Sequence, residues 1–201
     1  MKTPRLQLVR LTEDHLPGYH AIWSNKHATR WSPHGYCKSL EDSKEWMSGL
    51  LLSNNPDGDN FAVIIRSDID PDKLPKKDDE FESEILRPGT FIGYVGTWST
   101  SPTAEVGYIF HPDAWGHGFA TEALQGFVTI FWDLKLQYNT LDAVCDSQNT
   151  ASISVLTKCG FSLEESTKED YTLPWMDPPL RESVRFRVKR SVKINMWCLA
   201  R

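Results

Sequence analysis

Apolar side chains recur at every second position in Leu6-Gln7-Leu8, and the run Leu6–Leu11 predicts a strand. From Leu16 the spacing changes. Leu16, Tyr19, Ile22 and Trp23 share one helical face, with Thr12 placed to cap and Glu13 and Asp14 set against the dipole. A second helix begins at Ser39, where Ser39-Leu40-Glu41-Asp42 resembles a capping box with Asp in place of Glu. Trp46, Met47, Leu50 and Leu51 form its buried face. Phe61–Ile65 is a compact β-branched strand. Thr90–Trp98 and Ala104–Phe110 are two more strands, joined by the turn Ser99-Thr100-Ser101-Pro102. Gly93 and Gly96 inside the first of them mark a bulge or a close backbone approach. A helix over Gly118–Trp132 turns Leu124, Phe127, Val128 and Phe131 to one side. Thr140–Cys145 is a strand, and Thr150–Lys158 a helix ended by Gly160 in the left-handed C′ position. Phe161 opens another strand, and Val192–Leu199 is expected to be the last.

Arg66–Pro88 departs from this pattern. It holds eight acids and five bases with few apolar residues, and lies between two strands, as expected of a mobile acidic insertion. With no repeats, the 201 residues read as a single mixed α/β domain. A hydrophobic fraction of 40% excludes a disordered chain. A formal net charge of -5 argues against sequence-independent nucleic-acid binding. The four cysteines (Cys37, Cys145, Cys159 and Cys198) show no metal-ligand spacing, and neither do His27, His34 and His111. No apolar run approaches bilayer length, and no signal-peptide core precedes Leu11. The expectation is a cytoplasmic protein, monomer or homodimer, with no metal and no membrane or nucleic-acid partner.

The order at Glu105–Trp132 is strand, glycine-bearing loop, amphipathic helix. The first amides of such a helix lack intrahelical partners and carry the positive end of the dipole, which suits phosphate oxygens. Gly116 and Gly118, followed by Ala120, let the backbone approach a pyrophosphate closely. No G-K-[ST] follows, and Thr121 stands where the dinucleotide fingerprint needs its third glycine, so both of those phosphate motifs are excluded.

Glu105-Val106-Gly107-Tyr108-Ile109-Phe110, His111-Pro112 and Trp115-Gly116-His117-Gly118-Phe119-Ala120-Thr121-Glu122-Ala123 together resemble the acetyl-CoA motif of the GNAT N-acetyltransferases. The similarity is strongest to the branch of the ribosomal-protein N-terminal acetyltransferases RimJ and RimL. Gly118 and Ala120 match the pattern [Q/R]-x-x-G-x-[G/A], with Trp115 in place of Gln or Arg. A second block, Asn149 to Phe161, is similar to the family's N-x-x-S/A…K-x-G-F helix.

The resemblance implies a mixed sheet of about six to seven strands and about four helices, with two central parallel strands splayed around the pantetheine arm of the coenzyme. It implies acetyl transfer from acetyl-CoA to a primary amine, on a protein N-terminus or a small molecule. Ile109, Phe110, His111, the turn Trp115–Thr121, Asn149 and Ser152 are then the coenzyme contacts. Asn149 also suits a helix N-cap. Glu105 is the candidate general base. The tyrosine that many relatives use as acid is replaced by Leu156, which leaves Ser152 as the candidate acid and Ser154 behind it. The same replacement motivates an alternative, a non-catalytic acyl-CoA sensor or scaffold. Trp31–Tyr36 and Glu169–Arg187 are expected to line the acceptor pocket, with the latter a loop.

Overall fold

A computed structural model describes residues 1–75, 84–100 and 103–190, less the side chains of 98, 99 and 167–170. Its seven strands are β1 Leu6–Arg10, β2 Asp59–Ile65, β3 Phe91–Ser99, β4 Glu105–Phe110, β5 Thr140–Asp146, β6 Ser162–Thr172 and β7 Leu180–Lys189. They form one sheet in the order β1-β2-β3-β4-β5-β7-β6. The α-helices are α1 Leu16–Trp23, α2 Leu40–Ser48, α3 Phe119–Leu134 and α4 Thr150–Lys158.

Strand alternation sorts the apolar residues into two cores. Leu6, Leu8, Phe61, Val63, Ile65, Val106 and Phe110 pack under Phe119, Phe127 and Phe131 of α3 and Leu156 of α4. Ala62 and Tyr94 face the other way, against Tyr19 and Trp23 of α1 and Met47 of α2. This second core covers the β1–β3 end of the sheet. Beyond it, on the same face, stand Asp142 and Asp146 of β5 and Arg181, Arg185 and Arg187 of β7.

The capping box at α2 forms as predicted: the Asp42 amide donates to Ser39 Oγ at 3.1 Å and the Ser39 amide to Asp42 Oδ2 at 3.0 Å. Gly160 ends α4 with φ 83. Gly93 lies beside the β2–β3 register shift, and a Cβ there would stand 2.5 Å from the carbonyl oxygen of Ile109. The two readings of that glycine both hold.

β4 and β5 run parallel and pair only at Glu105↔Asp142. Past that point they diverge. The Ala104 carbonyl accepts from the Asp142 amide, whereas the His111 amide donates to Ile92 on β3. Alternation along β4 therefore turns the backbone groups of Tyr108 and Phe110 into the opening between the strands.

The C-terminal part differs from expectation. Glu169–Arg187 is mostly a β6–β7 hairpin with its connection at 173–179, and β7 is the last described strand. Val192–Leu199 lies outside the described residues. Within Arg66–Pro88, residues 76–83 lie outside them too, while Leu74 and Leu86 on either side are buried in the main core.

Candidate active site

The turn before α3 has the backbone form that its glycines predict. Gly116 and Gly118 take φ 78 and 79, with Gly118 as the N-cap. Phe119 is fully buried and fastens the helix start to the core. The intrahelical bonds begin with the Glu122 amide donating to Gly118, so the amides of Gly118–Thr121 precede the ladder. Ala120 and Thr121 are half-buried beside them. Trp115 is exposed, and its indole N–H donates to the Phe110 carbonyl at 3.0 Å, tying the turn to the end of β4.

Arg5, which the motif search passed over, braces this turn from outside. Its Nε donates to Glu122 at 2.7 Å and its Nη1 to the His117 carbonyl at 2.8 Å, and its guanidinium lies 4.4 Å over the Phe119 ring. Glu122 also accepts from the Thr3 hydroxyl at 2.6 Å and the Arg5 amide at 2.7 Å. Burial alone would raise its pKa, but these bonds outweigh that and hold it below the usual glutamate value. The signal in the sequence was only a charge pair far apart in the chain.

Of the three predicted contacts on β4, Phe110 has its backbone groups toward the opening, with the carbonyl taken up by Trp115. Ile109 and His111 turn theirs to β3. Tyr108, not singled out by sequence, faces the opening with Phe110.

At the other wall Asn149 caps α4, its Oδ1 accepting from the Ser152 amide at 3.1 Å. Ser152 Oγ lies 2.8 Å from Tyr108 Oη. A strand and a helix on opposite sides of the opening are thereby joined through hydroxyls. Burial pushes the Tyr108 phenol well above its ordinary value, against the opposing bond from Ser152. Burial likewise pushes Cys145 up to about 11, so it stays a thiol. Leu156 is buried in the core. Ser154 is exposed.

Glu105 points to the other face of the sheet. It is half-buried, and its carboxylate lies 3.6 Å from Arg185 Nη1, an ion pair too long for a hydrogen bond. Arg185 is shared with the buried Asp142 at 3.3 Å, and Asp142 is held at 2.6 and 2.8 Å by Arg187. Glu105 is thus loosely held, with no hydrogen bond from Arg185. It and Ser152 lie on opposite faces of the sheet at its opening.

The two segments expected to line an acceptor pocket do meet. The Trp175 indole donates to the Arg30 carbonyl at 2.9 Å, and Arg181 lies 5.8 Å over Trp31. An open cleft there is lined by Arg30, Gln148, Trp175, Met176, Asp177 and Arg181. Arg181 is fixed by Asp146 at 2.8 and 3.0 Å, and Asp146 accepts also from Tyr171 at 2.6 Å. Burial alone would raise the Asp146 pKa; the bonds from Arg181, Tyr171 and the Gln148 amide bring it below the ordinary value. Among the described residues no group of three or more His, Cys, Asp and Glu could hold a metal ion, and no helix is long and apolar enough to cross a membrane.

Residues 5–162 match the family model described as an acetyltransferase (GNAT) domain. The chain is 35% identical over 172 residues to the uncharacterized N-acetyltransferase p20 of Bacillus licheniformis, covering 84% of this chain and 85% of that one. Its fold is that of the Salmonella typhimurium acetyl transferase that modifies the N-terminal serine of ribosomal protein L7/L12 (TM-score 0.72, 17% identity, 94% of this chain and 97% of that one). It is also that of Vibrio cholerae spermidine N-acetyltransferase in complex with CoA and spermine (TM-score 0.70, 16% identity, 93% and 96%).

Proposed function

The chain belongs to the GNAT acetyltransferase family, and from that premise we propose how its residues move an acetyl group from acetyl-CoA to a primary amine. The single observation that carries the reading is the phosphate turn Trp115–Thr121 leading into α3 beside the opening between β4 and β5. The amides at the start of α3 receive the pyrophosphate. The pantetheine arm lies along β4 and pairs with the backbone groups of Tyr108 and Phe110, with Asn149 opposite.

The thioester then sits between Glu105 on one face and Ser152 on the other. Glu105 takes a proton from the amine through water, since three strand residues, about 10 Å, separate it from Tyr108. The amine nitrogen bonds to the thioester carbon, and the carbon–sulfur bond breaks with its electron pair left on sulfur. The Ser152 hydroxyl donates a hydrogen bond to that sulfur, and solvent supplies the final proton. The acceptor enters by the cleft between Arg30 and Arg181. The RimJ/RimL-like branch suits this chain because the L7/L12-modifying enzyme shares its fold over nearly its whole length. A donor made and kept inside cells fits a cytoplasmic protein.

The test is thiol release from acetyl-CoA across a panel of N-terminal peptides, polyamines and small amines. Release is expected only with a suitable amine, and Glu105→Gln should abolish it while acetyl-CoA still raises the melting temperature. Wild-type protein that binds acetyl-CoA and acetylates none of the panel would favour the sensor alternative.

A further inference from the structure

The family's usual tyrosine is missing from α4, yet a tyrosine hydroxyl still reaches that helix. Tyr108 approaches from β4, and its Oη lies 2.8 Å from Ser152 Oγ and 3.3 Å from the Ser152 carbonyl oxygen. Leu156, one turn further along the helix, is buried in the core and carries no hydroxyl.

We propose that Tyr108 is a positioning residue for catalysis: its phenol donates to Ser152 Oγ and so commits the Ser152 proton to the departing sulfur of the coenzyme. This rests on the role given to Ser152 above. A hydroxyl carries one proton and two acceptor sites. If Tyr108 occupies one acceptor site of Ser152, the serine proton has to go elsewhere, and the sulfur of a coenzyme in the opening is the acceptor proposed for it.

The alternative, in which Tyr108 passes its proton on to sulfur, fails on magnitude. Burial makes this phenol hold its proton more tightly than an ordinary tyrosine, whereas an ordinary thiol titrates at about 8.5. Transfer from phenol to thiolate runs steeply uphill. The titratable groups acting on Tyr108, Cys145 and Cys159, both stay neutral thiols and supply no charge to reverse this. What remains is a chain of two hydrogen bonds that stabilises negative charge as it develops on sulfur.

The test is a double-mutant cycle on kcat in the intact chain, with Tyr108→Phe, Ser152→Ala and the pair. Tyr108→Phe removes one hydroxyl and should lower kcat roughly fivefold to tenfold, the scale of one hydrogen bond, with the KM for acetyl-CoA unchanged. In the Ser152→Ala background the same change should have no further effect, because its only route is through Ser152. A structural role would instead lower the melting temperature and act equally in both backgrounds, so equal effects would overturn the proposal. A wild-type kcat in Tyr108→Phe would overturn it too. If Ser152→Ala itself leaves kcat unchanged, the fault lies in the role given to Ser152.

Discussion

Replacing Arg5 by Ala tests whether the N-terminal arm belongs to the coenzyme site. The substitution deletes two charge-assisted hydrogen bonds, to Glu122 and to the His117 carbonyl, and a cation–π contact with Phe119. Glu122 keeps the Thr3 hydroxyl and a backbone amide, so its carboxylate is not stranded. Bonds to charged groups contribute about 1.5–3 kcal/mol each, and the Arg5 side chain is 29% exposed, which screens part of that. A loss of about 2–3 kcal/mol follows, or roughly 5–10 °C in melting temperature for a chain of this size. One of these bonds fixes the His117 carbonyl within the turn on which the proposed pyrophosphate site is built. Loosening them should raise the KM for acetyl-CoA about tenfold.

The discriminating assay compares acetyl-CoA with acetylpantetheine, which lacks the phosphates. Arg5→Ala should weaken the first donor selectively, and Arg5→Lys should recover little, because an ammonium cannot span both partners. A melting temperature lowered as expected with both donors affected alike would refute the link between the clamp and the phosphate turn.

Other consequences follow from the same geometry. Asp146→Asn should destabilise by about 3 kcal/mol in urea denaturation, since it takes the carboxylate from the buried Arg181 and leaves it only neutral acceptors, Gln148 and the Pro178 carbonyl. Because the folded Asp146 and Glu122 titrate below their unfolded values of about 4, their stabilisation is complete above that pH and is lost as pH falls beneath it. Acid unfolding monitored by circular dichroism should lose that component in Asp146→Asn. Gly118→Ala forces a Cβ into φ 79 at the N-cap, costing about 1–2 kcal/mol and weakening acetyl-CoA in calorimetric titration. Phe127→Ala in the main core should cost about 3–5 kcal/mol without altering the KM of the surviving folded enzyme.

The first core was legible because each of its elements has one apolar face. The strand at Leu6, the capping box at Ser39 and the helix Thr150–Lys158 with Gly160 beyond its end all lie where periodicity and caps place them. The β6–β7 hairpin was not legible as such. β7 turns Arg181, Ser183, Arg185 and Arg187 to one face, and their partners Asp146 and Asp142 come from β5. Paired charges there do the work that apolar residues do elsewhere, so a search for hydrophobic alternation gets only Val184, Phe186 and Val188. The left-handed turn before α3 could be read from its glycines, whereas its assignment to a coenzyme needed the resemblance carried by the second block, Asn149 to Phe161. The Arg5 brace and the Tyr108–Ser152 bond could not, because each joins residues that only the folded sheet brings together.

A crystal structure of the protein with coenzyme A tests the central claim most directly. The account predicts the pyrophosphate on the amides between Gly116 and Thr121, the pantetheine arm along Tyr108 and Phe110 of β4, and the sulfur within hydrogen-bond reach of Ser152 Oγ. A coenzyme lodged away from the opening between β4 and β5, or a sulfur directed to the Glu105 face, would contradict it.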